Sequence, residues 1–172
     1  MGELDGWRHC PQCAAAVQAG STKVECAECG FVVYASSKPT ASALVVDEDG
    51  RVMLSRRARD PFAGLWDLPG GFLEEGEHPV ECLHRELREE AGIGLRDLDF
   101  IGIYMDRYGE GSRDVATLNL YWSARIAEGA PEPADDVAEL RFFPPDEIPR
   151  ADLAFAHIAD VISVWRRRNE HA

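Results

Sequence analysis

Residues 71–93 read GFLEEGEHPVECLHRELREEAGI. From Pro79 to Ala91 the apolar positions Val80, Leu83, Leu87 and Ala91 recur at helical spacing, so one stripe of an α-helix faces a core. Gly92 stands where a helix can end in the left-handed conformation. On that helix Glu86, Glu89 and Glu90 lie at i, i+3 and i+4 and share one face beside the stripe. Like charges at this spacing repel by roughly 0.2–0.5 kcal/mol per pair, and they sit near a helix end whose dipole is already negative. Both terms oppose stability. A bound divalent cation reverses both, because clustered carboxylate oxygens suit Mg2+ or Mn2+. The plain alternative for a bare RELREE is a solvated, charged helix face. The surroundings favour the cation: Gly70 and Gly71 let backbone approach a ligand closely. Glu77 and Arg85, eight residues apart, suit an ion pair that braces the loop before the helix.

The same stretch resembles the Nudix box at every defined position. It has Gly71, five residues, Glu77, seven residues, Arg85, Glu86, Leu87, one residue, Glu89, Glu90, one residue, Gly92 and Ile93. The flanking segments, from about Pro39 to Arg168, look like a Nudix domain. The resemblance implies an α/β fold, an α/β/α sandwich around a mixed sheet. It also implies divalent-metal-dependent hydrolysis of a nucleoside diphosphate linked to another moiety. Carried over by position, Glu86, Glu89 and Glu90 are expected Mg2+ or Mn2+ ligands, the Gly70 carbonyl is a further one, and Glu77 with Arg85 is the bracing pair. Family members take their general base either from a box glutamate, here Glu86 or Glu89, or from a loop glutamate outside the box. Glu139 stands in a position like the second source, with Asp135, Asp136, Glu110 and Asp114 as weaker candidates.

Substrate contacts follow less directly. Arg57 aligns with an arginine that touches nucleotide in some members of the family, against the alternative of an ordinary surface arginine. Phe62, Trp66 and Phe72 can stack on a base, although Trp66 and Phe72 serve equally well as core. Cys82, one turn before Glu86, reads as a packed thiol, since hard Mg2+ prefers oxygen. His78, His84, His157 and His171 form no constellation and read as surface or packing residues.

Outward from the helix, TASALVV (40–46) and RVMLSRR (51–57) read as a hairpin joined by the turn Asp47–Gly50. LDFIGIYM, TLNLYWSARI and AELRFFP read as later strands. Asp152 to Arg168 reads as a helix with Phe155, Ile158, Ile162 and Trp165 inward, ending in a solvated basic run, Arg166–Arg168, that complements its dipole.

Toward the N-terminus, CPQC (Cys10, Cys13) and CAEC (Cys26, Cys29) are two knuckles that can converge on one metal. Four thiolates complete zinc's tetrahedral shell and leave no open position, so the expectation is a structural Zn2+ site, with disulfide or redox pairs as the alternative. His9 is not needed as a ligand. The expected organisation is a zinc ribbon over 1–36 and the Nudix domain over 37–172.

The chain has 172 residues, with 18 basic against 31 acidic side chains, a net charge of −13. That balance argues against a non-specific nucleic-acid binder and against an anionic lipid surface. An anionic ligand then needs a cation to hold it. With no apolar run of membrane-spanning length and no signal-like start, the expected address is the cytoplasm.

A zinc ribbon before a Nudix domain resembles the NADH-hydrolysing group. That group carries a Ser-Gln-Pro-Trp-Pro-Phe-Pro stretch shortly after the box, whereas LRDLDFIGIYMDRYGEGSRD here has no proline. Where ADP-ribose-hydrolysing members often show a proline, Tyr108 stands, similar to dinucleoside polyphosphate hydrolases. The expected activity is hydrolysis of the pyrophosphate linkage of a small nucleotide such as ADP-ribose, FAD or NADH. The alternatives are a sanitising nucleoside triphosphate pyrophosphohydrolase and a non-catalytic nucleotide-binding module. A homodimer is among the assemblies that the resemblance implies.

Overall fold

The computed structural model describes residues 3–109 and 114–169. Two compact units emerge: Met1–Lys38 with Arg107–Ala116, and Pro39–Asp106 with Thr117–Ala172. Glu110 and His171 lie outside the described residues.

In the first unit, β1 (Lys23–Glu25) and β2 (Val32–Tyr34) pair antiparallel, Val24 opposite Val33. Two tight turns hold the cysteines. Ala14 N–H donates to the Cys10 carbonyl and Gly30 N–H to the Cys26 carbonyl, with Ala14 and Gly30 both at positive φ.

The second unit is built on a seven-stranded sheet. Its strands are β3 (Lys38–Val46), β4 (Val52–Arg57), β5 (Trp66–Asp67), β6 (Gly70–Phe72), β7 (Gly94–Tyr108), β8 (Val115–Glu128) and β9 (Val137–Phe143). The order is β5-β4-β3-β8-β7, with β6 on β3 and β9 on β4. Alternation along β3 decides what each face holds. Ala41, Ala43 and Val45 pack under α1 (Pro79–Ala91) with Cys82, Leu83, Leu87 and Ala91. Leu44 and Val46 pack under α2 (Ile158–Asn169) with Ile158, Val161 and Ile162. Helices on both faces make the α/β/α sandwich that the sequence led us to expect.

Two expectations need correction. The second helix begins at Ile158 rather than Asp152. Arg150–Asp152 form a 3-10 turn, Leu153 makes a parallel bridge to Trp66, and Ala154 N–H donates to the Trp66 carbonyl at 2.8 Å. Pairing with β5 outweighs helix propensity in that segment. Nor is the terminal basic run merely solvated: Arg168 donates to the carbonyls of Phe100 and Ile101, and Arg166 pairs with Asp146. Among the described residues no helix is long and apolar enough to cross a membrane.

Candidate active site

The acidic face of α1 is set by caps at both ends. His78 is the N-cap: its side chain accepts from Val80 N–H while the Glu81 carboxylate accepts from His78 N–H. His78 therefore has a role that the sequence reading did not give it. Gly92 closes the helix at φ 68.

Arg85 organises the face. Its Nε and Nη2 donate to both Glu77 oxygens at 2.8 and 2.9 Å, Nη1 reaches Glu86 at 2.8 Å and Glu89 at 3.2 Å, and Nη2 also donates to the Phe72 carbonyl. The bidentate bond from Arg85 holds the Glu77 carboxyl down at about 2.

Glu86 and Glu90 are moved the other way. Burial is the main cause of the rise at Glu86, and the charges of Glu89 and Asp136 add to it. Glu90, 8% exposed, is pushed well above the usual carboxylate range, again chiefly by burial, then by Asp136, Glu86 and Asp67, against a 2.9 Å hydrogen bond from Gly70 N–H. Beside Glu90 lies a cavity of about 10 Å³, lined by Ser55, Arg57, Asp67, Leu68, Gly70, Asp136 and Val137. That is on the order of one water molecule or one bare cation. Glu90, Asp67 and Asp136 bring carboxylate oxygens to a space of this size, a donor set that a hard divalent cation would fit. Gly71 leaves room for the Glu86 carboxylate: a Cβ there would stand 2.3 Å from Glu86 Oε1 and displace the end of that side chain.

Of the other candidates, Asp136 joins the α1 acids and Glu139 does not. Leu140 and Phe142 pack on the α1 side of β9, Phe143 on the α2 side. Glu139 shares the parity of Phe143 and pairs with Arg141 and Arg56, whose guanidiniums lie over the Trp66 ring. Trp66 is itself core, 7% exposed and edge-on to Phe143, so its stacking role gives way to packing. Phe72 stays exposed. Arg57 is turned inward, donating to the Pro61 carbonyl at 2.9 Å and to Asp67 at 3.3 Å. Asp67 is held above its ordinary value by burial, against the pull of Arg57. The Cys82 thiol, pushed up to about 12 by burial and by Glu77 and Glu86, faces the carbonyls of Gly71 and Phe72 and stays protonated.

His157 corrects the expectation of isolated histidines. Its ring lies 2.6 Å from Asp106 and 2.8 Å from the Tyr121 hydroxyl. These partners are 51 and 36 residues away, and no local pattern points to them.

In the first unit the sulfurs of Cys10, Cys13, Cys26 and Cys29 all lie within 4.8 Å of one another, and no cysteine is in a disulfide. Cys10–Cys29 and Cys13–Cys26 are 3.6 Å apart. A tetrahedron with metal–sulfur bonds of about 2.3 Å has edges of about 3.8 Å. The thiols also compete for charge. Although burial opposes it, backbone N–H groups of Cys13 and Gln12 and the neighbouring thiols bring Cys10 down to about 7. Cys13 is pushed up to about 12 by its sulfur neighbours and burial, against a backbone bond at Ala15. A cation bound by the four sulfurs would resolve that competition.

The fold and the acidic helix define an α/β/α sandwich protein with a cluster of carboxylates beside a glycine pair. The chain belongs to the NUDIX family, whose domain model matches residues 36–163. A relative named ADP-ribose pyrophosphatase, from Methanocaldococcus jannaschii, is 30% identical over 73% of this chain and 72% of its own length. A Pseudomonas aeruginosa protein named NAD-capped RNA hydrolase NudC is 34% identical over 55% of this chain, which spans only 34% of that protein. A solved NUDIX hydrolase from Nitrosomonas europaea shares the fold with a TM-score of 0.79, covering 96% of this chain and 94% of its own at 24% identity.

Proposed function

We propose that this chain hydrolyses the pyrophosphate linkage of a small nucleoside diphosphate derivative, with ADP-ribose as the first substrate to test. The observation that carries this reading is a one-ion cavity beside Gly70 lined by the carboxylates of Glu90, Asp67 and Asp136, with Glu90 resisting ionisation there and Glu86, one helical turn earlier on α1, shifted in the same direction. Glu86, Glu89, Glu90 and the Gly70 carbonyl would hold Mg2+ or Mn2+, and an ion there would supply charge neutralisation on the diphosphate and a lowered pKa for the attacking water. Arg85 positions Glu86 and Glu89, and Asp136, the loop acid that faces Glu86 and Glu90, takes the proton from the attacking water. Arg57 contacts a phosphate of the substrate, and Phe62, next to the Pro61 that Arg57 holds, stacks on the base. The four cysteines carry a structural Zn2+.

The test is product analysis with Mg2+ or Mn2+ on ADP-ribose, FAD, NADH, a nucleoside triphosphate and an NAD-capped oligonucleotide. The last arm is included because one relative is named for that substrate. Wild type should release AMP from at least one of the dinucleotide-type substrates, and Glu86→Gln and Glu90→Gln should not. Tight binding of these compounds with no cleavage by wild type would replace the enzyme with a binding module.

A further inference from the structure

His157 sits where the α2 face of the sheet meets the start of α2, and its own carbonyl accepts from Asp160 and Val161 N–H to begin that helix. Its imidazole is held at both nitrogens, Nδ1 by Asp106 of β7 at 2.6 Å and Nε2 by the Tyr121 hydroxyl of β8 at 2.8 Å. Tyr104 stacks on the ring at 5.7 Å and 19°. Tyr121 is buried, and burial together with Asp67 and Asp106 pushes its phenol well above the usual range, so the hydroxyl keeps its proton.

Before His157 the chain meets β5 at Leu153 and Ala154 through the Trp66 contacts, then turns at Phe155 and Ala156, whose carbonyls accept from Ile158 and Ala159 N–H, and brings Phe155 edge-on to Phe62 at 5.0 Å. Phe62 has φ 68, a left-handed backbone that a bulky residue adopts only where its surroundings hold it. The residue before it, Pro61, is bonded by Arg57, which lines the cavity with Glu90. A continuous path of contacts thus runs from His157 through Phe155 to Phe62 and Arg57.

We infer that Asp106, His157 and Tyr121 form a pin that fastens residues 153–157 to the sheet and, through Phe155, holds Phe62 in its left-handed pose for the base of the nucleotide. His157 is a positioning residue for substrate specificity, and this rests on the hydrolase reading above. It touches no acid of α1: its ring contacts are Asp106, Tyr121, Tyr104 and Phe155.

The experiment is steady-state kinetics on the full, metal-loaded chain with whichever dinucleotide-type substrate it cleaves. Phe62→Ala should raise KM about tenfold, the size of one base–aromatic stacking contact, with kcat within about twofold. His157→Gln, Asp106→Asn and Tyr121→Phe should raise KM in the same sense with kcat kept. The Phe62→Ala/His157→Gln double variant should be no worse than Phe62→Ala alone, because both changes remove one contact. Unchanged KM in the pin variants, losses confined to kcat, or additive effects in the double variant would overturn the inference. If His157→Gln fails to fold, Asp106→Asn and Tyr121→Phe decide by the same split, with Tyr121→Phe combined with Phe62→Ala as the double variant. Wild-type turnover that Glu86→Gln abolishes upholds the hydrolase reading whatever these variants do.

Discussion

At the scale of single residues, the acids divide by the sign of their shifts, and pH dependence follows from that division. Glu77, held at about 2 by Arg85, contributes stability that is present above the unfolded range near 4.3 and lost as pH falls toward 2. Glu86, Glu90 and Asp67 are raised, so their contribution is complete below that range and is lost as pH climbs through their folded values. Without divalent ion, melting temperature should therefore decline above about pH 5. Glu90→Gln should flatten the decline, and so should saturating Mg2+. A metal-free Glu90→Gln melt with the wild-type pH slope would show that Glu90 is not the strained group. The proton acceptor separates as cleanly: Asp136→Asn should lower kcat by about 10²–10⁴, the usual range for a general base, while Glu139→Gln stays near wild type. Equal losses in the two variants would return Glu139 to the mechanism. The sequence made the box acids and Arg85 readable because they lie on one helix at fixed spacing. It could not rank Asp136 over Glu139, three residues apart, because the two differ in placement: Asp136 lies in the turn before β9 and lines the cavity with Glu90, whereas Glu139 lies within the strand and pairs with Arg56 and Arg141. His157 was unreadable for a related reason, its partners being brought to it by two distant strands.

At the scale of elements, β6 and α1 together place the carboxylate cluster, and two adjacent glycines serve it differently. A Cβ on Gly70, which sits at φ 142, would fall 2.2 Å from the Ala41 carbonyl oxygen and 2.5 Å from Ser42 Cα, and backbone cannot yield. A Cβ on Gly71 meets only the far end of the Glu86 side chain, which can rotate away. Gly70→Ala should thus cost stability, about 1–3 kcal/mol or more from backbone strain alone. Gly71→Ala should melt close to wild type yet lose about a hundredfold in kcat, since an ångström of misplacement at a reacting centre has that effect. Paired melts and rate measurements check this, and a Gly71→Ala protein of normal activity would mean that Glu86 is not placed by close approach. The apolar stripe of α1 and its closing Gly92 made that helix legible, as a run of branched and small apolar residues did for β3. The strand β6, two glycines and a phenylalanine, has no strand signature of its own; its register against Thr40, Ala41 and Ser42 creates it. The start of α2 was misread for the same physical reason, because Leu153 pairs with Trp66 rather than coiling.

At the scale of the whole molecule, the two units meet the problem of stability in different ways. The Pro39–Asp106 and Thr117–Ala172 unit buries aliphatic side chains on both faces of a sheet. Up to Lys38, the described chain buries only Leu4, Val24, Cys10 and Cys26 among its apolar residues. A module of that size with so few buried side chains needs a cross-link or a metal. The CxxC spacing announced this locally. That Arg107–Ala116 belongs with the first unit was not legible, because it rests on contacts between distant parts of the chain. Structural zinc contributes on the order of 10 kcal/mol to folding in small thiolate modules, so its removal should unfold this one selectively. Purified protein should carry one zinc per chain in addition to any Mg2+ or Mn2+, and Cys26→Ser or a strong chelator should release it. Amide resonances of Val24 and Val33, paired across the small hairpin, should then collapse to unfolded positions, while those of Leu83 and Leu87 in α1 persist. Retention of the Val24 and Val33 shifts in zinc-free protein would show that the four thiols hold that unit without a metal.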